Sequence, residues 1–438
     1  MSEQRRKVVI VGAAGRDFHD FNVHWRDRSD VEVVAFTAAQ IPNIAGRVYP
    51  PALTGPRYPQ GVPIFPEEQL DELIDRHGVT LVAMAYSDLP HEEVMHKAAL
   101  ANAAGADFIM LGWKQTALPS RKPVIAVCAV RTGCGKSQTT RLVAACLRKA
   151  GKRIAVVRHP MPYGDLSRQV CQRFASLDDL DAHECTIEER EEYEPHISAG
   201  NLVFAGVDYA RILAAAEAEA DVVLWDGGNN DMPFFRPKLM LTVVDPHRPG
   251  HECRYYPGET NLRMADAVVV NKVDSAKPAD VDAVVANVRR LNPDAEIIMA
   301  HSPAGLAEPE RIRGKRVLVV EDGPTVTHGE MPYGIGLLAA RRFGGVVVDP
   351  RPHAVGSIKA AFQKYPHLRD VLPALGYGRR QVEELEATIR ATDCDAVLVG
   401  TPIDLARMLK IDKPALRVGY DLVEVDPGRI EALVSAAL

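Results

Sequence analysis

Residues 124–140 read Val-Ile-Ala-Val-Cys-Ala-Val-Arg-Thr-Gly-Cys-Gly-Lys-Ser-Gln-Thr-Thr, and no other stretch constrains the chain as much. Val124 to Val130 form an unbroken apolar run, the signature of a strand buried on both faces of a parallel sheet. Thr132, Gly133, Cys134 and Gly135 follow, then Lys136-Ser137 at the head of a helical pattern. Strand, glycine-rich turn and a helix opening on Lys-Ser make a phosphate-binding P-loop. The glycines let the backbone curl so that successive N–H groups form an anion nest, and the helix N-terminus adds its partial positive charge. Lys136 is placed to reach the β/γ-phosphates, and the Ser137 hydroxyl to hold Mg²⁺. The predicted nucleotide-binding loop is therefore Thr132, Gly133, Cys134, Gly135, Lys136, Ser137 and Gln138.

The commonest form of this loop carries glycine five residues before the Gly-Lys pair, where this chain has Val130. Arg131-Thr-Gly-Cys-Gly-Lys-Ser instead resembles the variant P-loop of the ATPases that include dethiobiotin synthetase and the MinD-like proteins. Arg131 and Lys136 are accordingly the expected catalytic pair at the γ-phosphate.

At 438 residues the chain is long enough for two or three domains. With 47% hydrophobic and 25% charged residues and a net charge of −6, it has an ordinary globular composition. Nothing in that balance calls for a nucleic-acid or membrane partner. No apolar run approaches the ~18 residues of a spanning helix, and the first residues lack the order of a signal peptide. Seven cysteines without a Cys-x-x-Cys pair suit reduced thiols, so a cytoplasmic protein is expected.

Alternating strand and helix patterns predict an α/β protein built on a three-layer P-loop NTPase core with a mostly parallel sheet. A Rossmann-like unit over residues 1–118 precedes the core at 119–312, and a small α/β unit follows over 313–438. In the first unit strands are expected at 7–11, 31–37, 81–86 and 107–111; in the core after the loop, at 153–157, 221–225, 239–244, 267–270 and 296–300.

Open α/β sheets bind ligands at the carboxyl ends of their strands, so the loops there supply the candidates. Gly12, Gly15, Arg16 and His19 suit a phosphorylated ligand, or form a tight turn with solvated charges. Arg158 and His159 sit beside the P-loop, and Arg248 lies in a long Arg/His-rich loop of a length that is usually functional. Asp226 ends an apolar strand ahead of Gly-Gly and can hold Mg²⁺ together with Ser137. Asn271-Lys272-Val273-Asp274 is the guanine-reading tetrad of GTPases, or a brace and helix cap. Thr325, Thr327 and His328, among glycines, make a second anion loop or a satisfied turn. The acidic run from Asp178 to Glu194 reads as a solvated helix face without chemistry.

Taken in order, Gly-Ala-Ala-Gly-Arg-Asp-Phe-His, Arg-Thr-Gly-Cys-Gly-Lys-Ser, Trp-Asp-Gly-Gly-Asn-Asn-Asp and Glu-Asp-Gly-Pro-Thr-x-Thr-His-Gly resemble the cyclic 2,3-diphosphoglycerate synthetase family. The resemblance implies an ATP- and Mg²⁺-dependent homodimer that closes a phosphoanhydride within 2,3-diphosphoglycerate, releasing ADP and phosphate. It places Gly12, Gly15, Arg16, His19, Arg158, His159, Arg248, Thr325, Thr327 and His328 toward that metabolite. It sets ATP against the GTP-like tetrad, with Asn271 facing adenine and Asp274 left as a cap.

Overall fold

The structure, a computed structural model, describes residues 5–39, 44–159, 164–228, 231–327, 329–375, 379–403 and 405–438. Three sheets carry the α/β architecture that the alternating pattern predicts. The central one is ordered Gln172–Phe174, Leu202–Ala205, Ile154–Arg158, Val222–Asp226, Val124–Ala129, Leu239–Val244, Ala267–Val270, Glu296–His301, Val423–Glu424. Its inner pairings are parallel, and antiparallel strands close both edges. Every residue of Val124–Ala129 is buried, as a central parallel strand covered by helices on both faces must be. The P-loop strand therefore ends mid-sheet, between strands whose own loops can reach whatever it holds.

In the first sheet Arg6–Val11 lies between Val31–Ala38 and Leu81–Met84, with Asp107–Met110 outside. Val48–Tyr49 and Val62–Pro66 extend the other edge, within a stretch whose prolines and glycines mask strand character in the sequence. A two-stranded ribbon, Leu89–Pro90 against Tyr255–Tyr256, ties this unit to the core.

The third sheet centres on Arg316–Asp322, flanked by Ala396–Gly400 on one side and by Leu372–Ala374 and Val346–Val347 on the other, with Ala415–Tyr420 beyond Ala396–Gly400. Two differences from the sequence division follow. Ala304–Leu306 pairs with Ala415–Tyr420, so this sheet recruits residues before 313. The chain's end also returns to the core: Val423–Glu424 adds a strand, and Arg429–Ala436 packs on the P-loop helix Lys136–Lys149. Ile430, Val434 and Ala437 form one apolar face there. The short strand before that helix carries no alternating pattern, which is why the crossing back is invisible in the sequence.

Candidate active site

At the end of Val124–Ala129 the loop turns through Gly133 (φ 80°) and Gly135 (φ 108°), conformations that glycine reaches without strain. Three side chains from neighbouring strand ends hold successive loop carbonyls. Arg248 Nη2 donates to Thr132 O at 2.7 Å, Lys272 Nζ to Gly133 O at 2.6 Å, and Asn271 Nδ2 to Cys134 O at 2.9 Å. With the carbonyls engaged, the N–H groups at the start of Lys136–Lys149, which have no intrahelical acceptor, remain for an anion. Asp245 backs the braces, 2.7 Å from Lys272 and 3.4 Å from Arg248. Burial would raise its carboxyl, but Lys272 and Arg248 hold it below its ordinary value.

Lys136 Nζ lies 2.5 Å from Asp226 Oδ1, while Arg158 Nη1 and His196 Nε2 approach Oδ2 at 2.6 and 3.2 Å. Burial opposes ionisation of Asp226, yet Arg158 and Lys136 keep its carboxyl well below the usual range. Burial and Arg158 bring Lys136 down to about 8.

Ser137, Gln138 and Lys136 open onto a cleft whose far wall was not anticipated. The acidic run splits in two: on the helix Leu177–Ala182 and the turn after it, Asp178, Asp181 and Glu184 are exposed, as a solvated face should be, whereas the rest forms the helix Ile187–Ser198, begun by a capping box between Thr186 and Glu189. That second helix is not a solvated face, because it is wedged between two units. Ile187 belongs to the third unit's core, and Tyr193 and Ile197 to the central one. Glu188, Glu191 and Glu192 are thereby turned into the cleft, where Glu321 and Asp322 join them from the third sheet. Glu192 pairs with Arg158, and Thr401 donates to Glu191 Oε1 at 2.5 Å. The Thr186-x-x-Glu189 box and the apolar residues among the acids were the available signal.

Several predicted residues lie elsewhere. The Gly12–Gly15 turn is filled by Asp17, whose carboxylate accepts from the N–H groups of Ala14 (2.8 Å), Gly15 (3.0 Å) and Phe18 (2.7 Å). Arg16 is buried against Asp231 (3.4 Å), Asp20 (3.5 Å) and the Met232 carbonyl (2.5 Å). His19 contacts Thr116 O at 2.8 Å and stacks on Phe234 at 4.2 Å, and His159 Nδ1 sits 3.0 Å from Asp231. Gly15, Arg16, His19 and His159 lie where the first unit meets the core, and neither they nor Gly12 line the cleft. Arg158 likewise serves Asp226 and Glu192, and Arg248 serves the loop, instead of standing free for a substrate phosphate.

Arg131 lines the cleft but is 2% exposed and held on every side. Asp88 Oδ1 lies 2.6 Å from its Nε, the Tyr255 ring 3.7 Å beneath its guanidinium, and His251 Nδ1 3.0 Å from Nη1. Asp274 accepts the Ser302 N–H at 3.0 Å, which ties down the backbone after the strand Glu296–His301 and caps no helix, and Asn271 is a loop brace.

Thr325 does reach the cleft: a Cβ on Gly133 would come 3.2 Å from its Cγ2. Thr327 is buried with its hydroxyl on Gly323 O at 2.7 Å, and His328 lies outside the described residues. The neighbouring helix N-terminus is filled from within. Glu321 accepts from the N–H groups of Gly334 (3.1 Å), Gly336 (3.1 Å) and Leu337 (2.8 Å), while burial pushes its carboxyl up to about 7.

The braced glycine loop, its helix N-terminus and Lys136 define a P-loop nucleotide-binding protein. No family model matches the chain. It is 56% identical over 436 residues to arginine synthetase ArcE of Thermococcus kodakarensis, covering 99% of this chain and 97% of that one. The chain belongs to the family of that synthetase. Cyclic 2,3-diphosphoglycerate synthetase of Thermococcus sibiricus is 27% identical over 114 residues, 26% of either chain. LpxK of Aquifex aeolicus, solved with ATP, overlays 79% of this chain and 95% of its own at a TM-score of 0.45 and 10% identity. No described helix is long and apolar enough to cross a membrane.

Proposed function

We propose that the protein is an ATP-dependent ligase that converts the ureido group of an amino acid into a guanidinium, making arginine from citrulline. One observation carries this: the cleft is bipolar. Lys136 and Lys272 stand at the phosphate loop, while Glu188, Glu191 and Asp322 line the same cleft from the acidic helix and the third sheet. The first pole suits the terminal phosphates of ATP, and the second suits a product that becomes cationic as it forms. The full-length relation to an arginine synthetase supports the choice.

In the first step the ureido oxygen forms a bond to the γ-phosphorus as the bond to the β,γ-bridging oxygen breaks and ADP departs. In the second, an amine nitrogen (ammonia in the simplest case) bonds to the activated carbon, the C–O bond breaks onto inorganic phosphate, and the nitrogen sheds a proton. The chain's part is positioning and charge compensation, the main sources of rate in phosphoryl transfer. Lys136 neutralises the transferring group after leaving Asp226. Ser137 and Asp226 are hard oxygen donors that fit Mg²⁺, with Asp226 available as Lys136 moves away. Bound by these two residues, the ion would supply charge neutralisation at the transferring phosphate.

The partial match to cyclic 2,3-diphosphoglycerate synthetase favours a second reading, phosphoanhydride closure in that metabolite. The acidic wall opposes it. Each phosphate charge brought within ~4 Å of a carboxylate costs on the order of 4 kcal/mol at an effective dielectric of ~20. The test incubates the protein with ATP and Mg²⁺, adding either citrulline with ammonium or 2,3-diphosphoglycerate. Arginine formation matched by phosphate release is expected only in the first mixture. A new cyclic resonance by ³¹P NMR in the second, with no arginine in the first, would reverse the assignment.

A further inference from the structure

Glu191 is 5% exposed and lines the cleft, yet only half of its carboxyl group is satisfied. Oε1 accepts the Thr401 hydroxyl at 2.5 Å. Oε2 is buried without any donor. The neighbour of the Glu191 carboxyl is another acid, Asp322, within hydrogen-bonding reach of it across the junction of the acidic helix and the third sheet. Asp322 is itself held in place, since one of its oxygens accepts the Thr325 N–H at 3.1 Å. A buried acceptor without a donor is costly, and more so when charged. Such a cost persists in a fold where a ligand removes it. Two acidic oxygens facing each other have two ways to relieve the strain: they share a proton, or a donor carrying positive charge inserts between them.

We propose that Glu191 and Asp322 together form the seat for the terminal nitrogen group of the amino-acid substrate, binding it most tightly once it has become a guanidinium. The inference rests on the reading of the protein as an arginine-forming ligase. A planar guanidinium presents paired N–H groups that match carboxylate oxygens, and no neutral ureido group offers the same charge. The pair therefore favours product over substrate and gains strength as positive charge develops at the reacting carbon. Burial, followed by the charge of Asp322, raises Glu191 well above the ordinary carboxyl value when the seat holds no cation. Arrival of the guanidinium then releases the Glu191 proton.

Glu191→Gln keeps the shape and the oxygen facing Thr401 but cannot balance a cation. Arginine binding by calorimetry, in buffers of different ionisation enthalpy, is measured for the wild type, for Glu191→Gln and for Asp322→Asn, which retains an oxygen for the Thr325 N–H. The expected result is a 10- to 100-fold loss of arginine affinity in both variants. ATP affinity should stay within threefold, and the wild type alone should release a proton on binding. A purely structural role would not separate the two ligands or abolish the proton release. If the wild type makes and binds arginine while both variants bind it equally well, the seat is overturned and the ligase reading stands. If the wild type neither makes nor binds arginine, the ligase reading fails and the seat falls with it. Should Glu191→Gln not fold, Asp322→Asn decides between these outcomes.

Discussion

Asp88, in the first unit, grips the phosphate loop twice: one carboxylate oxygen lies 2.6 Å from Arg131 Nε, and the other accepts the Thr132 hydroxyl at 2.8 Å. Asp88 sits at φ 61°, a left-handed conformation uncommon for a non-glycine residue, next to the ribbon that joins the first unit to the core. The first unit thus shapes the loop from behind.

Asp88→Ala should leave the buried Arg131 guanidinium with only the exposed Glu330 carboxylate, 3.7 Å away, as a counter-charge, a loss on the order of 3 kcal/mol in stability. ATP affinity should fall about tenfold or more as the loop relaxes, read by calorimetry alongside urea unfolding. Arg131→Ala should lower ATP affinity and turnover together, because the side chain braces the loop and has no freedom to follow a transferring charge. Turnover lost by orders of magnitude with affinity intact would instead return Arg131 to the γ-phosphate.

The tetrad at 271–274 makes a different pair of predictions. Asn271 and Lys272 spend their donors on Cys134 O and Gly133 O, and Asp274 spends an acceptor on the Ser302 N–H. Asn271→Ala should therefore weaken ATP and GTP alike, by about tenfold for one lost buried hydrogen bond of ~1.5 kcal/mol. Asp274→Ala should leave the ratio of ATP to GTP affinity unchanged. A selective collapse of GTP binding in Asp274→Ala would show that the carboxylate reads guanine after all.

How far the sequence reached depended on whether a feature was local. The strand–loop–helix from Val124 to Lys149 is legible because its periodicity and glycines lie within one contiguous stretch. The partners of a loop N–H are not local in that sense. Gly12–Gly15 reads as an anion site because the sequence shows the cradle, but it is filled by an acid of the chain itself, Asp17, and the helix entry at Gly334–Gly336 is filled in the same way by Glu321. Glu321 lies 13 residues from Gly334, and no spacing rule connects them. The acidic helix was misread for the same reason. Its charge is visible in the sequence, whereas its burial depends on the third unit pressing against it.

Asp17 offers a direct check on that correction. Asp17→Ala strips the acceptor from three backbone N–H groups and should cost on the order of 3 kcal/mol in urea unfolding, while Asp17→Asn should cost less. The activity of the folded fraction should not change, since the turn lies away from the cleft. A selective rise in KM for the amino-acid substrate, with stability untouched, would make this turn a substrate site.

His19 links the sealed interface to pH. Its Nε2–H donates to Thr116 O, its Nδ1 is buried without a partner, and Arg16 stands nearby. Burial, then the charge of Arg16, pushes the imidazole from 6.5 down to about 3. The folded chain thus refuses a proton that the unfolded chain accepts below its own value. The stability this provides is complete above pH 6.5, and is lost as the pH falls toward 3. The slope is about 1.4 kcal/mol per pH unit for a single such proton. His19→Phe can keep the stacking on Phe234 without titrating, at a fixed cost for the lost bond to Thr116. The stability gap between wild type and variant, measured by urea unfolding at pH 7, 6, 5 and 4, should therefore narrow by more than 2 kcal/mol across the series. A gap that stays constant would mean that His19 takes up its proton in the fold, with the interface between the first unit and the core open enough to solvate it.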